Sequence, residues 1–333
     1  MKNLKTLFRT LFFLGIGILL LWLTFRNQDF SEVWAKMATA SPFYILLCII
    51  CSVAALISRS MRWVQLIEPM GHRPRLSSTY HALMFGYLAN MALPRLGEIS
   101  RCGALSKSDE VPFEKLVGTV IVERLLDVIM LALSILFTAT LEYKRLGGFL
   151  YTTILEPILK KMAAGPLLIA IVLVVLAAGV VVLIGLFRMS DPPAFIQKIR
   201  SLATGVGEGL RSIIKVKNKG LFIFHTVFIW AMYYCMSYFC FLALAETEML
   251  GASAALFIMV LGGIGMSAPV QGGIGVYHTL VAKGMLLYGL TETDGIVYAT
   301  LSHTVSTLVL ILLGALSMLS LFFFVKTKSS RIA

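Results

Sequence analysis

The run LFIFHTVFIWAMYYCMSYFCFLAL, Leu221 to Leu244, contains no Asp, Glu, Lys or Arg and is long enough to cross a ~30 Å hydrocarbon core as a single helix. Its solvent is lipid. Three further runs, Leu7 to Phe25, Pro166 to Phe187 and Ile296 to Val325, read the same way. Of the 333 residues 58% are hydrophobic and 14% charged, well below the ~25% charged of soluble domains, so the expected class is an all-α polytopic membrane protein. The short alternating stretches of an outer-membrane barrel do not occur.

Lys2, Lys5 and Arg9 precede the first run as they would in a signal peptide, but no small-residue cleavage site follows Trp22. The run is therefore expected to stay as the first helix. Cys48, Cys51, Cys102, Cys235 and Cys240 lie mostly in apolar surroundings, where thiols act as small hydrophobes and not as a disulfide framework.

The net charge of +12 raises the question of nucleic acid, and the distribution of the charge excludes it. With loops assigned by the positive-inside rule, 21 of the 29 Lys and Arg residues fall on one side of the membrane. The bias sets topology, and no aromatic-interleaved basic patch offers bases a stacking surface. Both termini are expected in the cytoplasm, with the chain in the inner (cytoplasmic) membrane.

This bias draws a definite path. Leu7 to Phe25 goes out, Pro42 to Ser58 returns, and Arg59 to Ser78 is a cytoplasmic loop. Thr79 to Leu93 is well short of a ~20-residue span, so Thr79 to about Leu105 is expected as a hairpin dipping in from the cytoplasm, with ordinary full crossings and Gly-rich packing faces as the competing reading of both hairpins. Leu116 to Leu141 then crosses outward. In the second half Pro166 to Phe187, Leu221 to Leu244 and Ile296 to Val325 cross, while Ala252 to Gly289, dense in Gly and containing Pro269, is expected as a hairpin entering from outside. The expectation is one integral domain over residues 1–333, with six full crossings and two re-entrant hairpins. Its halves, 1–141 and 166–325, would form an inverted repeat, and 188–219 a basic amphipathic loop on the membrane surface.

Ionisable groups at membrane depth require partners or a water-filled cavity. Glu123, Arg124 and Asp127 form one such cluster, with Glu123 and Asp127 on one helix face and Arg124 placed to pair with Asp127; a salt bridge that merely holds helices together is the competing reading. Asn90, Pro94, Arg95, Gly97, Glu98 and Arg101 form a second cluster. Pro94 removes an amide donor and Gly97 relaxes the backbone, so a helix is expected to break there, with Arg95 and Arg101 able to grip a phosphate. Arginines that snorkel to the membrane edge are the plain alternative. Pro269, Gly272, Gly273 and Gly275 mark the turn of the second hairpin, with His278, Lys283 and His303 nearby. The glycines do not form a dinucleotide fingerprint, because no βαβ unit surrounds them.

No P-loop, His-Glu-x-x-His or Gly-x-Ser-x-Gly pattern occurs, so no cofactor or metal is expected. Glu98, Glu123 and Asp127 as acid and base on a lipid-linked substrate remain the enzymatic alternative. A scaffold for a partner lipid synthase is a third.

Taken in order, Asn90-x-x-Leu93-Pro94-Arg95-x-Gly97-Glu98-x-x-Arg101, Glu123-Arg124-x-x-Asp127 and Pro269-x-x-Gly272-Gly273-x-Gly275 resemble the flippase-like transmembrane region of lysylphosphatidylglycerol synthases. Full-length members, the multiple peptide resistance factors, join this region to a soluble aminoacyl-lipid synthase. The sequence departs from them in ending at Ala333 without that domain, so lysyl transfer by this chain is not expected. The resemblance implies translocation of an anionic or aminoacylated phospholipid, or of a lipid-linked headgroup. Membrane lipids are the implied partners, together with a separate lipid-modifying or glycosyltransferase enzyme. The implied substrate-binding residues are those of the three motifs, with His303 added from the last helix. Arg95, Arg101 and Arg124 would hold phosphate, and Glu98 and Asp127 would answer them or carry a coupling proton.

Overall fold

The computed structural model describes residues 15, 18–19, 21–26, 28–92, 96–143, 214–268 and 270–329. In chain order its helices are α1 (Phe30–Ala38), α2 (Pro42–Ile67), α3 (Leu76–Ala92), α4 (Leu96–Asp109), α5 (Phe113–Leu141), α6 (Lys219–Leu242), α7 (Ala252–Ser267), α8 (Val276–Leu286) and α9 (Glu292–Ser329). Single 3-10 turns occupy Glu68–Met70 and Gln271–Gly273. Three helical stretches, Pro42–Met70, Lys219–Leu242 and Glu292–Ser320, are long and apolar enough to cross a membrane. This is an all-helical membrane protein. The expected crossing Pro166 to Phe187 and most of the basic loop 188–219 lie outside the described residues.

α2 begins on Pro42, whose missing amide costs nothing at a first helical position. It does not stop at Ser58. No helix breaker occurs before Pro69, so Arg59 and Arg62 continue the helix and point into the protein, with 5% and 0% exposure. The expected cytoplasmic loop from Arg59 is thus corrected: its first turns are helix, and these two arginines, like Arg101 at 2%, are internal counter-ions. Removing all three from the loop count leaves the sign of the basic bias unchanged.

α2 and α6 run antiparallel. The Ser41 amide donates to the Ala243 carbonyl at 2.8 Å, Cys48 Sγ to the Met236 carbonyl at 3.4 Å, and Ser58 Oγ meets His225 Nδ1 at 2.8 Å, so the register holds along the pair.

α3 and α4 form a helical hairpin whose arms touch at Gly86 and Gly97. A Cβ on Gly86 would lie 2.8 Å from the Gly97 carbonyl oxygen, a distance that only glycine permits. At the open end the Arg75 amide donates to Asp109 Oδ1 at 3.1 Å. α7 and α8 form the second hairpin, with Gly265 against the Tyr277 backbone. Its turn contains the left-handed residues Gly272 (φ 57°), Gly273 (φ 70°) and Gly275 (φ 83°), a conformation in which a Cβ is strained. The glycines therefore build a sharp reversal, as the sequence predicts.

α9 is the spine against which both hairpins rest. Going along it, Gly295 packs on Ala282 of α8, His303 on Gly272 at the second tip, Gly314 on Leu88 of α3, and Ser317 Oγ on His81 Nδ1. The two hairpins thus approach from opposite ends of α9 and meet tip to tip. A Cβ on Gly272 would stand 3.3 Å from Met91 Sδ at the first tip. At ~1.5 Å per residue, Gly295 to Gly314 covers about 28 Å, close to the ~30 Å hydrocarbon thickness. The second tip meets α9 at His303, about midway along that stretch.

Ile121, Leu125, Val128, Ile129 and Leu136 form an exposed stripe at helical spacing on α5, the pattern of a lipid-facing side. At the end of the bundle away from Arg75, α1 is fastened by Lys36, which reaches Asp294 at 2.7 Å and Glu32 at 3.0 Å. The hydrogen bond to Asp294 holds the Lys36 ammonium above its ordinary range.

Candidate functional site

The first hairpin leans on α5 and α2 through a buried charge network. Glu123, with a fully buried side chain, receives Arg59 Nε at 3.1 Å and Arg59 Nη2 at 2.8 Å on Oε1, with Arg62 Nη2 at 3.4 Å. Asp127 receives Arg59 Nη2 at 2.6 Å and Arg62 Nη2 at 3.0 Å. One helical turn separates the two carboxylates, and one turn separates Arg59 from Arg62, so two facing helices mesh charge for charge. Arg59 Nη1 also donates to Tyr233 on α6, at 2.9 Å.

From α4, Arg101 brings Nη2 to 2.8 Å from Glu123 Oε2, an ion pair without hydrogen-bond alignment. Its guanidinium carbon lies 4.6 Å from the centroid of the Trp63 ring, a cation–π contact that supports the group from beneath. Trp63 is itself fixed by its Nε1–H donating to Thr119 Oγ1 at 2.8 Å. Trp63→Phe keeps a ring under Arg101 but removes this bond, and an expected cost of about 1 kcal/mol is readable as a lowered melting midpoint.

Arg124 faces the other way. Its side chain is 44% exposed, with Nε 3.4 Å from Glu98 Oε1 and Nη1 3.7 Å from Asp127 Oδ2. The expected local pair with Asp127 is present but longer than the bonds from Arg59 and Arg62. Between Arg124, Arg101 and Glu98 lies a narrow cleft also lined by Tyr87, Asn90 and Gly97. Asn90 Oδ1 accepts the Gly97 amide at 2.7 Å, which caps the start of α4 and fixes the wall of the cleft. Ile99 and Leu125, next to Glu98 and Arg124 in sequence, are exposed.

Among these residues four arginines (59, 62, 101, 124) oppose three carboxylates (98, 123, 127). Nε and Nη1 of both Arg62 and Arg101 are buried without hydrogen-bond partners. Buried cationic donors in excess of their acceptors attract an anion with several oxygens, as a phosphate has. Among the described residues no three His, Cys, Asp or Glu side chains gather as a metal site.

Of the residues singled out from the sequence, Asn90, Gly97, Glu98, Arg101, Glu123, Arg124 and Asp127 come together here. Gly272, Gly273, Gly275 and His303 gather at the second tip, where the His303 Nε2–H donates to the Gly272 carbonyl at 2.7 Å. Pro94, Arg95 and Pro269 lie outside the described residues. Sequence reasoning missed Arg59, Arg62, Trp63, Thr119 and Tyr233. The available signal was the i, i+3 spacing of Arg59 and Arg62 directly after an apolar run with no intervening breaker.

Comparison with known proteins bears on this geometry. The family model described as the lysylphosphatidylglycerol synthase TM region matches residues 10–314. The chain belongs to that family. The match takes in α1 to α8, the greater part of α9, both hairpins and every residue of the charge network. Within a shorter stretch of 124 residues this lysylphosphatidylglycerol synthase TM protein is 27% identical to a UPF0104 membrane protein of Methanocaldococcus jannaschii. That stretch covers 36% of each chain.

Proposed function

We propose that this lysylphosphatidylglycerol synthase TM protein is a lipid translocase of the cytoplasmic membrane. It passes an anionic or aminoacylated phospholipid, or a lipid-linked headgroup, through a polar path between two hairpin tips while the acyl tails stay in the bilayer. One observation supports the reading above others: a narrow cleft lined by Arg101, Arg124 and Glu98, beside buried guanidinium donors without partners, in a protein whose helices are long and apolar enough to cross a membrane. In this reading the cleft admits its cargo from the bilayer, because a headgroup on tails has to enter sideways.

Depth supports the same reading. Arg101 lies five residues into α4, about 7.5 Å from the first tip, and eight residues from Asp109, about 12 Å from the open end of the hairpin. A headgroup held there is already partway across, and the joint of Met91 with Gly272 is the next step. In this reading the Arg75 end and both termini face the cytoplasm. An inverted repeat, each half a long helix, a hairpin and another long helix, belongs to this reading, and the antiparallel run of α2 and α6 supports it. Glu98, partly exposed beside Arg124, contacts a cationic portion of the headgroup when there is one. Asp127 already has both oxygens engaged by arginines and serves to fix them. A separate lipid-modifying or glycosyltransferase enzyme supplies the cargo.

The test is leaflet exchange in proteoliposomes carrying fluorescent phosphatidylglycerol, its lysyl derivative or a polyprenyl phosphate. The double substitution Glu98→Gln, Arg124→Gln changes two partly exposed side chains and is expected to lower exchange of the accepted lipid by about 10- to 100-fold, the loss of one or two charge-assisted bonds. Exchange equal to the unsubstituted protein, in folded double mutant, refutes the assignment of this cleft.

A further inference from the structure

His278 on α8 and His303 on α9 face each other with ring centroids 4.8 Å apart and planes at 52°, and both are buried, at 5% and 8% exposure. The bonds of His303 are determined by its partners. A carbonyl oxygen only accepts, so Nε2 carries the hydrogen bonded to Gly272, and Nδ1 faces the Thr307 hydroxyl at 3.4 Å. His278 is different: its Nδ1 is buried and has no hydrogen-bond partner. An unmet nitrogen beside a second imidazole is a costly arrangement for a side chain that merely packs.

The surroundings of the pair are aromatic and hydroxylic. Tyr277 lies 5.3 Å from His303 and 5.9 Å from His278, ring to ring, but its own hydroxyl is tied to Ser302 at 2.9 Å. Phe25 closes one side at 6.2 Å from His278. Beyond Tyr277, the thiols of Cys48 on α2 and Cys240 on α6 are the nearest titratable groups from those helices. The second tip presents the Gly272 carbonyl, and the first tip presents Met91. Among the described residues no carboxylate, lysine or arginine pairs with either ring. A proton taken up here finds no resident counter-charge.

We infer that His278 and His303 form a proton-binding pair at the joint between the two hairpin tips, and that a proton crosses this joint together with an anionic headgroup. The inference rests on the translocase reading for its cargo, but not for the binding of the proton. Imidazole is the side chain whose charge changes most readily near neutral pH. In the closed joint an imidazolium on His278 has no protein acceptor for its buried Nδ1–H, so the closed state binds a proton poorly. When the tips part, or when a phosphate oxygen arrives, that N–H gains a partner. The proton therefore favours the open or loaded joint, and a ligand shifts an equilibrium by its difference in affinity for the two states. The chemistry is one N–H bond formed on entry and the same bond broken on exit. His303 transmits the change because its other nitrogen holds Gly272, the residue that touches Met91. Asp127 and Glu98 are not needed as proton carriers.

Two measurements on the full chain test this. In proteoliposomes with fluorescent phosphatidylglycerol, exchange is expected to differ at least about fivefold between roughly pH 5.5 and pH 7.5, a usual size of coupling between two ligands. The ratio is expected to fall to about one in His278→Gln, which removes the unpartnered ring and leaves the His303 bond to Gly272 in place. A flat profile in the unsubstituted protein, or an unchanged ratio in His278→Gln, overturns the inference. If no lipid exchanges at any pH, the translocase reading fails, and the pair is judged by nitrogen-15 histidine spectra of the chain in nanodiscs. Two signals that titrate together, at a pH below the ordinary imidazole value of about 6.5, one of them absent in His278→Gln with the other displaced, support the pair. Signals that do not titrate, or that titrate independently of each other, refute it.

Discussion

Glu123→Gln is expected to destabilise the protein by about 3–5 kcal/mol, the usual cost of breaking a buried ion pair from one side. The carboxylate is the point at which two helices converge on α5: Arg59 and Arg62 from α2 and Arg101 from α4 lie at 2.8, 3.4 and 2.8 Å from its oxygens. Glutamine keeps the shape and removes the charge. It leaves three guanidiniums around one neutral amide, two of them already holding nitrogens without partners. Asp127 compensates only in part, because its ion pairs are with Arg59, Arg62 and Arg124 and leave Arg101 to Glu123. The first hairpin is therefore expected to detach from α5. In nanodiscs this is read as a fall in melting midpoint and early proteolysis between α3 and α5. Arg124→Gln is the comparison. Its side chain is 44% exposed, and a pair of that kind is worth under ~1 kcal/mol. Equal melting of Glu123→Gln and the unsubstituted chain would show that the network does not hold the helices together.

The second large effect is expected from a single methyl group. In Gly97→Ala the new Cβ falls on the Gly86 carbonyl oxygen and on the Asn90 side-chain amide. Neither can yield cheaply, since one is helix backbone and the other is held by its 2.7 Å bond to the Gly97 amide. The arms of the first hairpin have to separate, at about 1–3 kcal/mol for overpacking, and loss of the Asn90 cap adds about 1 kcal/mol more. The cleft loses its wall at the same time, so exchange activity is expected to fall with stability. Gly103→Ala, on the same helix, is the control. A Cβ there meets nothing within 4 Å, so the better helix propensity of alanine is expected to raise stability by roughly 0.5–1 kcal/mol. If both variants melt at one temperature, close packing at Gly86 and Gly97 is not what closes this hairpin.

Much of the site could be read from the chain because its parts are local. Gly272, Gly273 and Gly275 announce a reversal, since left-handed backbone excludes most other residues. Glu123 and Asp127 stand one turn apart, so any helix at that position presents them together. Asn90 and Gly97 are separated by one turn of a hairpin. Arg59 and Arg62 were hidden for a physical reason: hydropathy falls at Arg59, and an arginine after an apolar run has the same sequence signature whether it enters a loop or neutralises a carboxylate 64 residues away. Only the partner distinguishes the two cases. The pairing of His278 with His303 was hidden likewise, because it joins two helices across a glycine turn.

By itself, the sequence determined the solvent of this protein, the helical form of its segments and the places where they break, because hydropathy and backbone freedom are properties of short stretches of chain. The tertiary structure alone decided which charges neutralise which, that Met91 and Gly272 bring two hairpins tip to tip, and that Arg124 of α5 and Arg101 of α4 line one cleft. Electrostatic and packing partners are chosen by distance in space, and helices laid antiparallel along α9 bring together residues that the chain keeps far apart.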